Sequence, residues 1–148
     1  MIKKTNFISL SHENALLVLK WRNNPYIRQN MHNKDIISIE NHLTFINSLK
    51  NSSTKSYFLV EINNEKIGVI YLVNEYLGVY SNPQKRKVGD ILLKEIIDYA
   101  FSIKNLPFIK AEVYKQNTPA INLYKRFGFK TIQDNDNMLT MELKNENS

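Results

Sequence analysis

The stretch that decides the fold is GVYSNPQKRKVGDILLKEIIDYAF, residues 78–101: a short strand, a proline, a basic turn rich in amides, then an amphipathic helix. Gly89 falls in the first turn of that helix. The N–H groups there have no intrahelical acceptor and lie at the positive end of the helix dipole, so they form an anion site. A glycine lets such a ligand approach the main chain, and a diphosphate fits the description.

Outward from this segment the chain reads as one domain over residues 1–144, with a disordered tail expected over 145–148. Its 148 residues, 43% of them apolar, suffice for one core. The absence of cysteine excludes disulfides, zinc–thiolate sites and a cysteine nucleophile. No apolar run reaches the roughly 20 residues of a membrane span, and the first residues carry no leader pattern, so a cytoplasmic protein without membrane contact is expected. A net charge of +6 suits a nucleotide-like anion, nucleic acid or an anionic surface, and does not choose among them.

A strand is expected near 5–10, then a helix from the Ser11 cap to about Asn24, stopped by Pro25. On it Arg22 shares a face with Ala15, Val18 and Leu19. After a loop over 25–35, a helix over 38–50 places His42 in a stripe with Ile39, Leu43 and Ile46. SYFLVEI (56–62) and KIGVIYLV (66–73) form a hairpin across Asn63, Asn64 and Glu65. A turn at 73–76 leads into YLGVYS and the long helix over 88–104. FIKAEVY (108–114) alternates as a strand, Thr118 and Pro119 start a helix, Gly128 ends it, and FKTIQ with MLTMEL make a closing pair. This is a mixed α/β sheet of seven strands with helices on both faces.

In this order the chain resembles the GCN5-related N-acetyltransferase family, which moves acetyl from acetyl-coenzyme A to an amine. The resemblance rests on two pieces. One is the turn Gln84-Lys85-Arg86-Lys87-Val88-Gly89, in which Lys87 stands where the family has a glycine. The other is Asn117-Thr118-Pro119-Ala120-Ile121-Asn122-Leu123-Tyr124-Lys125-Arg126-Phe127-Gly128-Phe129. Lys87 must there adopt an ordinary conformation or accept left-handed strain of about 1 kcal/mol.

The resemblance implies the family fold, with a splay between the fourth and fifth strands, acetyl-coenzyme A as cosubstrate and no metal. Residues 77–81 would lie along the pantetheine arm, and the amides of Val79 and Tyr80 would face the thioester oxygen, Gly78 permitting a bulge. Gln84, Lys85, Arg86, Lys87, Val88, Gly89, Asp90, Asn117 and Ala120 would complete the cofactor site. Tyr124, otherwise a core aromatic, resembles the general acid for the departing thiolate, and Asn117 is otherwise a helix cap. Glu112, otherwise paired with Lys110 on a polar strand face, is the best-placed base, acting through water.

WRNNP (21–25), IRQNM (27–31) and ISIENHLTFI (37–46) further resemble the bacterial N-acetyltransferases of pseudaminic acid biosynthesis. These acetylate the 4-amino group of a UDP-linked 4-amino-4,6-dideoxy sugar on the route to flagellin glycosylation. Arg22, Met31, His42, Phe45 and Tyr76 would then bind the acceptor. Arg22, set among apolar residues, requires an anion: Glu40 or a ligand phosphate. The connection before YLGVYS is shorter than that branch implies. A ribosomal N-terminus, a polyamine or an antibiotic amine remain alternative acceptors, and a basic nucleic-acid module is the non-enzymatic alternative, though no groove-reading helix is evident. The sequence permits a homodimer.

Overall fold

A computed structural model describes residues 1–146. The chain runs β1 (Ile2–Asn6), α1 (His12–Arg22), α2 (Pro25–Arg28), α3 (Ile39–Ser48), β2 (Lys55–Ile62), β3 (Glu65–Val73) and β4 (Tyr76–Ser81). It continues through α4 (Gly89–Asp98), β5 (Phe108–Tyr114), α5 (Thr118–Arg126), β6 (Lys130–Asp134) and β7 (Met138–Lys144). All seven strands join one sheet in the order β1-β2-β3-β4-β5-β7-β6, the mixed arrangement expected from the sequence.

Alternation along the strands divides the core in two. Val60, Ile70, Ala111 and Val113 face α4 and α5, where Leu92, Leu93, Ile96 and Tyr124 cover them. Leu59, Val69 and Tyr80 point the other way, beneath Val18 and Trp21 of α1. Full burial of side chains such as Leu92, Leu93 and Ile96 contributes roughly 1.5–3 kcal/mol each and clamps α4 to the sheet.

Several local boundaries differ from the reading of the sequence. The first strand lies at Ile2–Asn6, and Phe7–Ser9 form a 3-10 turn, because the Asn6 side chain accepts from the Ile8 N–H and ends the extended run. The expected loop after Pro25 opens with a helical turn that Asn24 caps through the Tyr26 N–H. Asn117 caps α5, accepting from the Ala120 N–H, as its alternative reading has it, and Thr118 is the first helical residue. The long helix changes to a π turn over Tyr99–Ile103. Gly128, at φ +94°, takes the left-handed position expected of it. Asn145, at the head of the tail expected to be loose, is held by hydrogen bonds to the Pro107 and Leu106 carbonyls. Residues 147 and 148 of that tail lie outside the described residues. None of the described helices is long and apolar enough to cross a membrane.

The expected bulge at Gly78 is absent: β3 and β4 pair without a register shift from Gly68↔Ser81 to Val73↔Tyr76. Gly78 serves close packing instead. It lies directly opposite Tyr71, whose ring fills the space where a Cβ would stand.

Candidate active site

The sheet opens between β4 and β5. The two strands are parallel and paired only at Tyr76↔Lys110, where the Lys110 N–H donates to the Glu75 carbonyl. Beyond that point they diverge. Peptide groups alternate sides along a strand, so the partner of one amide fixes the direction of the next. The Asn82 N–H donates to Ile67 on β3, and by alternation the peptide groups of Tyr80 and Gly78 also face β3. Val79 therefore turns its N–H and C=O into the opening. The Tyr80 amide, expected as a second donor to the thioester oxygen, does not: without a bulge it remains in the β3 ladder.

A cavity of about 440 Å³ runs through this wedge. Val79, Lys85, Gly89, Asn117, Ala120 and Tyr124 line it on the α4 and α5 side, and Met31, Tyr71, Tyr80 and Glu112 close its other end. Of the residues expected to hold the cofactor, Gln84 borders a separate depression beside Trp21, and Asp90 is paired with Arg126 at 2.7 Å. Arg86, Lys87 and Val88 form the approach to α4 without lining the cavity. Lys85 lines it while paired with Glu65 at 3.1 Å. Lys87 takes the left-handed alternative, at φ +60°. This costs on the order of 1 kcal/mol, and it directs the chain into a helix whose first turn has no side-chain cap. The first-turn N–H groups of α4 thus have no side-chain acceptor at the cap.

Tyr124 is buried at 6% exposure, its ring packed on Phe129 with centroids 5.2 Å apart. Among the described residues its hydroxyl has no hydrogen-bond partner, and burial raises its pKa, so the phenol keeps its proton. Asn117 spends its Oδ1 on the α5 cap and keeps Nδ2 free of partners among the described residues. Glu112 is not paired with Lys110, which contacts Glu75 instead; its Oε1 lies 3.4 Å from His32 Nε2.

A second chamber of about 280 Å³ adjoins the wedge across Met31, Tyr71 and Tyr80. Here Arg22, Met31, His42 and Phe45 come together as expected, whereas Tyr76 sits at the closed end of the wedge beside Lys110 and touches neither cavity. Glu40 does not meet Arg22. The Arg22 Nη2 donates to the Asn33 carbonyl, and Nη1 is buried with no hydrogen-bond partner, an omission that costs about 1–3 kcal/mol until a ligand supplies an acceptor. His42 Nε2 lies 2.8 Å from the Ala15 carbonyl, which requires that nitrogen to carry the proton. Burial lowers the His42 pKa and the Ala15 bond offsets part of the shift, so the ring is neutral near pH 7.

The sequence reading missed Tyr57, Tyr71 and His32. Tyr57 stacks on Tyr71 at 4.8 Å and meets Phe45 edge-on at 5.0 Å, making the aromatic wall of the chamber. Burial raises the pKa of Tyr57, Tyr71, Tyr80 and Tyr124 above the ordinary phenol value; Arg22 opposes the shift in the first three. Above about pH 10 the unfolded chain loses phenolic protons that the folded chain retains, so stability falls as pH rises through that range and these groups leave it unaffected below. Thermal unfolding followed between pH 8 and 11 should show that decline, with part of the phenolate absorbance appearing only on unfolding. Titration of all eight tyrosines near pH 10 in the folded protein would contradict it.

The Acetyltransferase (GNAT) family matches residues 17–129 of the chain. Two Campylobacter jejuni proteins named Acetyltransferase PseH are 43% identical over 142 residues, 92% of this chain and 88% of theirs. The crystal structure of Campylobacter jejuni N-acetyltransferase PseH in complex with acetyl coenzyme A superposes with a TM-score of 0.85 at 34% identity, covering 99% of this chain and 100% of that one. Spermidine N-acetyltransferase from Vibrio cholerae, in complex with CoA and spermine, reaches a TM-score of 0.85 at 19% identity over 97% and 95% of the two chains, a likeness of fold alone.

Proposed function

From the premise that this chain belongs to the acetyltransferase (GNAT) family, we propose that it acetylates the 4-amino group of a UDP-linked 4-amino-4,6-dideoxy sugar in pseudaminic acid biosynthesis, using acetyl-coenzyme A. The observation that carries this reading is the wedge itself. It joins a donor cavity under two helix N-termini to an aromatic chamber on the opposite face of the sheet.

The residues fit the donor. The uncapped start of α4 and the cations of Lys85, Arg86 and Lys87 suit a diphosphate, and the free Nδ2 of Asn117 and the walls of the wedge suit the pantetheine arm. Acetyl-coenzyme A supplies the thioester carbonyl that the amine attacks. The Val79 N–H then donates to the carbonyl oxygen as negative charge gathers on it, from a position fixed before reaction. Glu112 takes a proton from the acceptor ammonium. The Tyr124 hydroxyl gives its proton to the thiolate, and the proton shed by nitrogen as the amide forms restores the phenol.

The chamber also favours this acceptor over a polyamine. No aspartate or glutamate is among its lining residues, and Glu112, the one carboxylate of the wedge, already faces His32. A polycation would find the guanidinium of Arg22 and no compensating acid. A sugar nucleotide offers oxygens to the Arg22 Nη1 and an apolar 6-methyl group or base to Phe45, Tyr57 and Met31. Thiol release from acetyl-coenzyme A, measured with UDP-4-amino sugars, spermidine and peptide amines in parallel, tests the assignment. Turnover is expected with the sugar nucleotides; release with peptides or polyamines alone would overturn it.

A further inference from the structure

A carboxylate alone is a weak base for an ammonium, because its conjugate acid ordinarily forms near pH 4. An imidazole, which gains its proton near neutrality, matches the task far better. Such a ring stands behind Glu112. The segment that carries His32 is tied down by several hydrogen bonds: Arg22 Nη2 to the Asn33 carbonyl at 2.9 Å, Arg28 Nη1 to the Lys34 carbonyl at 3.0 Å, and Lys34 Nζ to the Met31 carbonyl at 3.1 Å. Tyr114, two residues along β5 from Glu112, closes the arrangement. Its hydroxyl reaches the Met31 carbonyl at 3.5 Å, and Lys34 Nζ lies 3.9 Å from its ring centroid. Held in this way, His32 places Nε2 3.4 Å from Glu112 Oε1, while two thirds of its side chain, 67%, stays open to water.

We propose that His32 is the proton outlet of the reaction: it relays to solvent, from Glu112, the proton that the acceptor ammonium gives up. The inference rests on the acetyl-transfer reading of the wedge but not on the identity of the amine. Glu112 borders the wedge, and His32 borders the chamber next to it, so the pair spans the junction of the two cavities. In the neutral ring with the proton on Nδ1, Nε2 takes the carboxyl proton once the exposed side chain closes the 3.4 Å separation, the Nδ1 proton passes to water, and proton exchange of the exposed ring with solvent restores the starting tautomer. The nitrogen–carbon bond forms, the carbon–sulfur bond breaks, and one proton per turnover leaves by this route. The second nitrogen proton remains with the Tyr124 phenol after that phenol has protonated the thiolate. When the imidazole is already protonated it is ion-paired with Glu112 and the relay is blocked. The other charged or titratable groups facing the ring are Tyr114 from β5, Lys34 and Arg22 beside its own segment, and His42, Tyr71 and Tyr80 across the chamber.

The experiment is the pH profile of kcat for the intact enzyme, H32Q and E112Q, with whichever amine the parent acetylates. The parent rate should carry an acid limb. In H32Q that limb should move at least about one unit lower and the plateau should fall roughly tenfold, with KM for both substrates unchanged. An exposed side chain can be removed without unfolding the protein, so a structural role would not move the limb. H32Q with the parent's profile and plateau would overturn the relay while leaving acetyl transfer standing. Turnover only of peptides or polyamines would overturn the sugar-nucleotide reading while the relay is scored on those amines. A parent that acetylates no amine would overturn both.

Discussion

Tyr124→Phe should fold normally, bind acetyl-coenzyme A as the parent does, and turn over roughly 10- to 1000-fold more slowly. Each part of that outcome follows from the packing. The ring is what the core uses, through its contact with Phe129, and phenylalanine keeps it. The hydroxyl makes no hydrogen bond among the described residues, so its removal breaks nothing that supports the fold. It lines the wedge, where a departing thiolate requires a proton, and burial keeps the phenol protonated at any pH at which the enzyme would be assayed. The loss should therefore fall on kcat, with stability changed by no more than a few tenths of a kcal/mol. Steady-state kinetics, calorimetry with acetyl-coenzyme A and a melting curve on the same preparation separate these effects. A variant with the parent's kcat removes Tyr124 from the chemistry.

What the sequence made legible depended on how local the governing interaction is. The turn of residues 84–89 and the run of residues 117–129 are contiguous, and their caps and glycines act within a few positions, so the starts of α4 and α5 were legible and Lys85, Gly89, Asn117, Ala120 and Tyr124 do line the wedge, whereas Gln84, Arg86, Lys87, Val88 and Asp90 do not. The acceptor side was legible only in part: Arg22, Met31, His42 and Phe45 meet in the chamber, but its aromatic wall does not follow from local pattern. Tyr57 and Tyr71 face each other across a hairpin with a two-residue Asn63-Asn64 turn, and that turn alone pairs Ile62 with Glu65. A register shift between Val60 and Glu61 then moves every later pair by one residue, bringing Tyr57 opposite Tyr71. The three-residue connection read from the sequence, Asn63 to Glu65, reaches the same Tyr57–Tyr71 pairing without that shift; what local pattern does not give is that Phe45 of α3 comes against this pair to make the chamber wall. His32 lies in an irregular segment that hydrogen bonds from Arg22 and Arg28 place, and spacing rules do not reach it. Tyr76 was misplaced for a related reason. Its neighbours in sequence enter the wedge, but the single pairing with Lys110 puts it below the point where the strands part. The direction of the Tyr80 amide likewise depended on whether β4 bulges at Gly78, which is a property of its pairing with β3.

Gly78→Ala should be far more damaging than the addition of one methyl group suggests, and the damage should be largely repaired by Tyr71→Leu. A Cβ built at Gly78 would lie 2.0 Å from Tyr71 Cζ and 2.2 Å from its hydroxyl oxygen, well inside contact distance. On one face the ring is backed by other aromatics. Tyr57 stacks on it at 4.8 Å with an interplanar angle of 10°, and Tyr57 is itself braced by Phe45 at 5.0 Å and Phe7 at 5.4 Å. Overpacking at such a site costs about 1–3 kcal/mol. The cost in function adds to this, because Tyr71 borders both the wedge and the chamber, and displacing it disturbs the passage where amine and thioester would meet. Tyr71→Leu alone forfeits the stacking, but combined with Gly78→Ala it also removes the clash. The two changes should therefore couple by on the order of 1–2 kcal/mol in denaturant unfolding of the four proteins of the cycle. Since Tyr71 and Gly78 are directly opposed on β3 and β4, the coupling measures how tightly the aromatic wall is wedged against the bare strand. Additive losses would mean that the ring escapes freely, in which case the junction is soft and Gly78 is not there to seat Tyr71.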